Sequence, residues 1–339
     1  MFHPKAHLGK QPFVVLWRVM DHCNLACPFC AYDRRLTFPR RSVDPGEVAR
    51  MIDLLAAWQV QSGRPAVLSW LGGEPTLWPA LPEMSLRAAL AGLKQSLTTN
   101  GTTLGSAATR QLLAERMSEV TISVDALGDT HGALRGWRSA FYKLAEWVPR
   151  LAAEAGGRLK LRANVVLMRQ TIDDFPELCS ALAGWGIHTI TFNQLGGRDR
   201  PEFYPAHRLR PEDIIRFSER LPALRQSLAG VHILGGEAYI DRIARSAANE
   251  TLSISGCRVA EDFLFIDEAG QVAPCAFVGD HFGVATSDLR TAGDIDELTR
   301  HICSRQIADP AAVCRNCMST QQFSKFADRG VLTSGGEIS

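Results

Sequence analysis

No run of the chain approaches the roughly 18 consecutive apolar residues that a bilayer-spanning helix requires, which excludes an ordinary helical anchor. The N-terminal Met1-Phe2-His3-Pro4-Lys5 lacks the apolar centre of a signal peptide, so the sequence predicts a cytoplasmic protein. Charge of one sign is scarce as well. Lys and Arg number 37 against 36 Asp and Glu, a formal net charge of +1 with a pI near 7.6. Bulk attraction for nucleic acid or for a membrane surface is therefore missing, and neither is expected as a partner. Long disordered linkers are lacking too. What remains is a chain of 339 residues, 46% apolar and 22% charged, sufficient for one large domain plus a smaller module. Its nine cysteines, in a reducing compartment, read as metal ligands and a few buried thiols.

Three of those cysteines lie within eight residues. Cys23-Asn24-Leu25-Ala26-Cys27-Pro28-Phe29-Cys30 follows the apolar run Val14–Met20, so a loop at the end of a strand presents three thiols together. Three thiolates on a four-iron cube leave one iron open to an outside ligand. A zinc knuckle with His22 as fourth ligand is the alternative reading of the triplet. Farther on, the buried strand Ala66–Leu71 ends in Gly72-Gly73-Glu74-Pro75, where two glycines permit close backbone approach and a carboxylate can accept from an ammonium group. Zinc chemistry gives no reason for this second motif.

The cysteine spacing with Phe29 before the last thiol, together with Gly-Gly-Glu-Pro one helix later, resembles the radical S-adenosylmethionine (SAM) superfamily. That resemblance implies a [4Fe-4S] cluster on Cys23, Cys27 and Cys30 whose open iron chelates SAM. It also implies an external electron donor such as flavodoxin or ferredoxin. Gly72, Gly73 and Glu74 would then meet the SAM amino group. Gly235-Gly236-Glu237 and Gly335-Gly336-Glu337 repeat the tripeptide without the proline and are expected as loops. The basic cluster Arg34, Arg35, Arg40 and Arg41 reads as a solvated loop, with an anionic substrate or an electron donor as the other reading.

Strand and helix signals alternate through six strands: Val14–Met20, Ala66–Leu71, Ser96–Asn100, Val120–Asp125, Leu159–Met168 and Ile187–Gln194. This predicts an α/β fold with parallel pairing. The resemblance implies a partial (βα)6 TIM-like barrel over 1–210, and the count of six agrees. Helices are expected from a cap at Asp44-Pro45 and over Ser106–Met117, Trp137–Ala155 and Asp173–Trp185. Period-two alternation puts Ser123 and Asp125 of the fourth strand, and Arg162 and Asn164 of the fifth, on inward polar faces. Ser123 and Asp125 are assigned to the SAM ribose, Arg162 and Asn164 to its carboxylate or to substrate, and Phe29 and Tyr32 to the cofactor's surroundings. The alternative is that these polar groups satisfy one another.

Alternation stops near Pro211. A helical linker is expected over 211–255, beginning with Glu212–Leu228, then a small α+β module over 256–330 and a tail over 331–339. In the module Phe263–Asp267 and Gln271–Pro274 form a hairpin joined by Glu268-Ala269-Gly270. Cys257 precedes the hairpin, Cys275 closes it, and Cys314 and Cys317 follow, a four-thiol set for zinc or for a second iron-sulfur cluster. The arrangement resembles the Twitch and SPASM auxiliary-cluster domains, the one-cluster Twitch form fitting better, which implies a second (auxiliary) [4Fe-4S] cluster. Cys179 reads as core, Cys303 as core or spare ligand.

Two clusters imply an oxidoreductase: a 5'-deoxyadenosyl radical abstracts hydrogen from substrate and the second cluster accepts an electron. The short segment ahead of Cys23 favours a small-molecule biosynthetic intermediate over a ribosomal peptide, and a redox-neutral rearrangement or epimerisation is the other alternative. No catalytic base stands out among Glu237, Asp262 and Asp280.

Overall fold

The computed structural model describes residues 11–254, 257–317 and Ser319; the extreme N-terminus, Gly335-Gly336-Glu337 and the tail lie outside the described residues. Strands and helices alternate from β1 (Phe13–Arg18) and α1 (Pro45–Ser62) through β2 (Ala66–Leu71), α2 (Leu81–Leu90), β3 (Lys94–Thr99), α3 (Ala107–Arg116) and β4 (Glu119–Ser123). They continue with α4 (Gly128–Arg135), α5 (Ala140–Ala155), β5 (Lys160–Leu167), α6 (Phe175–Gly184) and β6 (Thr189–Gln194). Next come α7 (Tyr204–His207), α8 (Pro211–Ser227), β7 (His232–Ile233) and α9 (Glu237–Ala247). The C-terminal part holds β8 (Phe263–Ile266), β9 (Gln271–Ala273), α10 (Gly279–Phe282), β10 (Val284–Ala285) and α11 (Ala292–Ala308).

Local chemistry explains the boundaries. Asp44 caps α1 by accepting from the Glu47 N–H at 3.0 Å, Pro45 opens the helix, and Gly63 closes it in the left-handed region. All six expected strands are present. The expected Trp137–Ala155 helix starts instead at Ala140, because Ser139 sits at φ 60° and a separate α4 precedes it. Of Gly235-Gly236-Glu237, expected as a loop, the two glycines are loop, with Gly236 as the N-cap residue of α9, and Glu237 begins the helix.

The strands form one sheet in the order β10-β9-β8-β1-β2-β3-β4-β5-β6-β7, parallel from β8 to β7, with β9 and β10 antiparallel at one edge. The first strand is thus a central one, flanked by β2 and by β8. Its outer face (Phe13, Val15, Trp17) packs under α1, where Phe13 meets Trp58 at 4.6 Å between ring centroids. On the opposite face Val14 packs with Phe263 and Phe265 inside the curved sheet. Trp58 Nε1 donates to Asp296 of α11 at 2.7 Å, and Arg50 donates to the Thr286 and Leu289 carbonyls, both at 2.6 Å, so α1 ties the C-terminal part to the sheet. Among the described residues no helix is long and apolar enough to cross a membrane.

Candidate metal centre and cosubstrate site

Beyond β1 the chain makes a closed excursion at the C-terminal ends of the strands. Its neck is held where Val43 N–H donates to the Val19 carbonyl (2.9 Å), Asp21 N–H to the Arg41 carbonyl (3.1 Å) and Arg41 N–H to Asp21 Oδ1 (2.7 Å). Arg34, Arg35 and Arg41 are exposed, as expected of a solvated loop, whereas Arg40 is half-buried; Arg35 and Arg40 both hydrogen-bond within the loop. Arg40 donates to the Asp21 and Asp33 carbonyls at 2.8 and 2.7 Å, and Arg35 reaches the Asp33 carboxylate and the Ala26 carbonyl. Asp33 is buried. Against the opposing effect of that burial, Arg35 and Arg200 hold its carboxyl well below the usual range.

This loop presents Cys23, Cys27 and Cys30. Leu25 N–H donates to Cys23 Sγ and Tyr32 N–H to Cys30 Sγ, both at 3.4 Å; Asn100 Nδ2 lies 3.7 Å from Cys23 Sγ, and Arg135 Nη1 lies 3.9 Å from Cys27 Sγ. Each sulfur therefore has a donor suited to a thiolate ligand, and the all-thiol set fits an iron-sulfur cluster. Burial, then the neighbouring thiols, push Cys30 up to about 12 against the Tyr32 N–H, a cost that a bound cation removes. His22, the fourth ligand of the zinc alternative, is exposed and turns to Asp21 at 3.6 Å. Among the described residues no three His, Cys, Asp or Glu side chains converge at single-ion distances.

Gly73 and Gly72 pack against the loop's own stem. A Cβ on Gly73 would lie 2.1 Å from the His22 carbonyl oxygen, and one on Gly72 would lie 2.8 Å from that of Met20. Gly73 N–H and Glu74 N–H donate to these same carbonyls of Met20 and His22 at 2.8 Å. Glu74 is fully buried, its oxygens taken by the hydroxyls of Thr76 (2.6 Å) and Thr99 (2.7 Å) and by Asn100 N–H (2.7 Å). Burial raises its pKa, with these donors opposing. Asn100 carries the network on to Asn24 at 3.1 Å and to Cys23.

Of the inward polar residues, Ser123 ends β4 and is half-buried. Asp125 is buried with both oxygens engaged, Oδ1 by Val166 N–H (2.9 Å) and Oδ2 by Arg135 (2.6 Å). Its N–H donates to His131 Nδ1 at 3.2 Å. Burial, then Arg135, lower His131 to about 3, so the ring is neutral. Arg162 pairs with Glu119, the first residue of β4, at 2.7 Å, toward the N-terminal ends of the strands and away from the cysteine loop. Asn164 accepts from Thr191 (3.1 Å) and Asn193 (2.7 Å). Phe29 packs with Ala126, Leu134 and Met168 and lies 6.1 Å from Phe203, whereas Tyr32 faces Arg18 at 5.4 Å on the opposite side. Burial raises the Tyr32 pKa.

Several participants carried no sequence signal. Arg18, the last residue of β1, contacts Glu268 and lies 4.0 Å from Asp267, so the hairpin turn sets two carboxylates beside the cysteine loop. Of the acids considered from sequence, Glu237 and Asp280 are exposed, and Asp262 pairs with Arg64 (2.5 Å) at the opposite end of β8. Alternation of apolar and polar residues cannot reveal which turn will meet which strand end.

The remaining thiols also gather. Cys257, Cys275, Cys314 and Cys317 are close enough to influence one another's charge, and burial followed by these neighbours pushes Cys275 up to about 12, against the Phe277 N–H. Gln306 Nε2 lies 3.6 Å from Cys257 Sγ, and Ser319 N–H donates to Cys317 Sγ at 3.4 Å. Cys303 is half-buried on α11 near Cys257, and Cys179 is core, as expected. None of the nine cysteines, all among the described residues, is in a disulfide.

Comparison with known proteins bears on this geometry. Residues 17–182 match the model of the Radical SAM superfamily. Fe-coproporphyrin III synthase of Methanosarcina barkeri is 28% identical over 55% of this chain, which spans only 44% of that relative's length. PqqA peptide cyclase of Xanthomonas campestris pv. campestris is 26% identical over 82% of this chain and 71% of its own. The crystal structure of Streptococcus suis SuiB bound to S-adenosylmethionine has the same fold, with a TM-score of 0.65 and 18% identity over 91% of this chain and 72% of SuiB. Residues 17–182, from Trp17 in β1 to Leu182 in α6, are therefore a radical SAM domain, of the superfamily whose members bind a [4Fe-4S] cluster and SAM.

Proposed function

We propose that this protein is a radical SAM oxidoreductase that oxidises a small-molecule biosynthetic intermediate in the cytoplasm, taking electrons from a flavodoxin- or ferredoxin-type donor. The observation that carries this reading is the meeting of two thiol sites on one sheet. The hairpin leading to Cys275 is paired through β8 with β1, the strand that leads to Cys23. When bound, the N-terminal cluster supplies the electron that cleaves SAM to the 5'-deoxyadenosyl radical, which abstracts hydrogen from substrate.

The chain's own residues do the rest. Cys23, Cys27 and Cys30 would hold the N-terminal cluster. The buried Glu74–Asn100 network keeps the loop in register with β3. Ser123 and Asn164 line the interior, and Glu268 and Asp267, held beside Arg18 at the end of β1, would accept a proton leaving the substrate. Cys257, Cys275, Cys314 and Cys317 would hold the auxiliary [4Fe-4S] cluster that takes the second electron.

A peptide substrate is the second reading. Its support is the PqqA peptide cyclase of Xanthomonas, similar over most of this chain. Anaerobic reconstitution with iron, sulfide, SAM and dithionite tests the common core: 5'-deoxyadenosine should accumulate with the wild type and disappear with Cys27→Ala. Product formation that survives Cys27→Ala would sink the assignment.

A further inference from the structure

Arg135 is the last residue of α4, and Gly136 closes that helix at φ 62°. A Cβ there would stand 2.9 Å from the Ala26 Cβ, so helix end and cysteine loop are in direct contact. The Arg135 carbonyl accepts from Ala26 N–H (3.3 Å) and lies 3.8 Å from Cys27 Sγ. Its side chain, 11% exposed, places Nη1 3.9 Å from the same sulfur and the guanidinium carbon 5.4 Å from the Phe29 ring centroid. The only carboxylate paired with it among the described residues is Asp125, at 2.6 Å.

We propose that Arg135 is a positioning residue that sets the reduction potential of the cluster held by Cys23, Cys27 and Cys30, with Asp125 as its counterweight. The proposal rests on the reading that these thiols carry a [4Fe-4S] cluster. One-electron reduction adds one negative charge to that centre, with the electron coming from the external donor and no bond made or broken in the protein. A cation held against a ligand sulfur in a largely dry site stabilises the reduced form, and a neighbouring anion opposes it. The pair thus acts with two opposite signs on one sulfur.

A mere clamp would behave differently, since loosening the loop from either side disturbs the cluster in the same way. The test is an EPR-monitored redox titration of the full chain, reconstituted anaerobically, with the N-terminal cluster recognised by the change in its signal on adding SAM. Arg135→Gln should lower the equilibrium constant for reduction about tenfold, a shift of ~59 mV to more negative potential. Asp125→Asn should shift it to more positive potential, and Arg135→Lys should stay near the wild type. Shifts of the same sign in Arg135→Gln and Asp125→Asn, or no shift in either, overturn the proposal. Should Arg135→Gln fail to load iron, Asp125→Asn and Arg135→Lys decide: a positive shift with the first and none with the second supports it, and any other pair of results overturns it. A wild type with no SAM-sensitive cluster signal overturns instead the reading beneath it.

Discussion

Gly73 measures how tightly the cysteine loop is seated. A methyl group there would press into the His22 carbonyl, one residue before the first ligand, with backbone on both sides of the contact. Gly73→Ala should therefore cost at least ~1–3 kcal/mol and reduce iron loading, read as a lower melting temperature and a lower iron-to-protein ratio than the wild type. Retention of full iron loading would show that the stem has room to spare. The need for glycine at this position was legible in the sequence, but its neighbour was not, because His22 lies fifty-one residues earlier and meets Gly73 only through the pairing of β1 with β2. Arg135 and Asp33 were illegible for a related reason. A charged residue at a helix end or in a loop looks solvated until its partners are known: Arg135 meets Asp125 just beyond β4, and Asp33 is shared by Arg35 of its own loop and Arg200 beyond β6.

Elements were easier to read than their neighbours. The six strands and the hairpin followed from alternation, apolar runs and turn residues, all local signals. That β8 adds in parallel to β1 was not legible, since period and composition do not name a partner across more than two hundred residues. The attachment also depends on side chains that looked like ordinary surface charge on α1. Arg50 carries two carbonyls of the C-terminal part, those of Thr286 and Leu289. Arg50→Ala should destabilise that attachment by about 1–3 kcal/mol, the typical cost of hydrogen bonds to a charged donor. Hydrogen exchange should quicken over 284–292 and stay unchanged in β3 to β5. Uniform quickening would mean that the sheet and the C-terminal part open together.

The whole molecule brings two groups of thiols to one sheet, and counting metal tests that arrangement. Anaerobically reconstituted protein should hold ~8 irons and ~8 sulfides per chain, two four-iron clusters, and Cys275→Ala/Cys317→Ala should hold about half. Iron near four with one zinc per chain would return the C-terminal site to the zinc alternative. The two groups of thiols were legible from cysteine spacing, because metal sites demand particular residue types close together. The carboxylates of Asp267 and Glu268 beside Arg18 were not, since a hairpin turn rich in acids is common on any surface.

Arg18 and Glu268 are 250 residues apart, yet they meet across adjacent strands. On a ribosome adding ~5–20 residues per second, the first strand waits on the order of ten to fifty seconds for its second neighbour. Throughout that interval one of its edges offers unpaired backbone groups to any passing strand. The nascent chain is thus most vulnerable to aggregation before its last quarter is made, and a release factor acting early would leave the cysteine loop without its acidic companion.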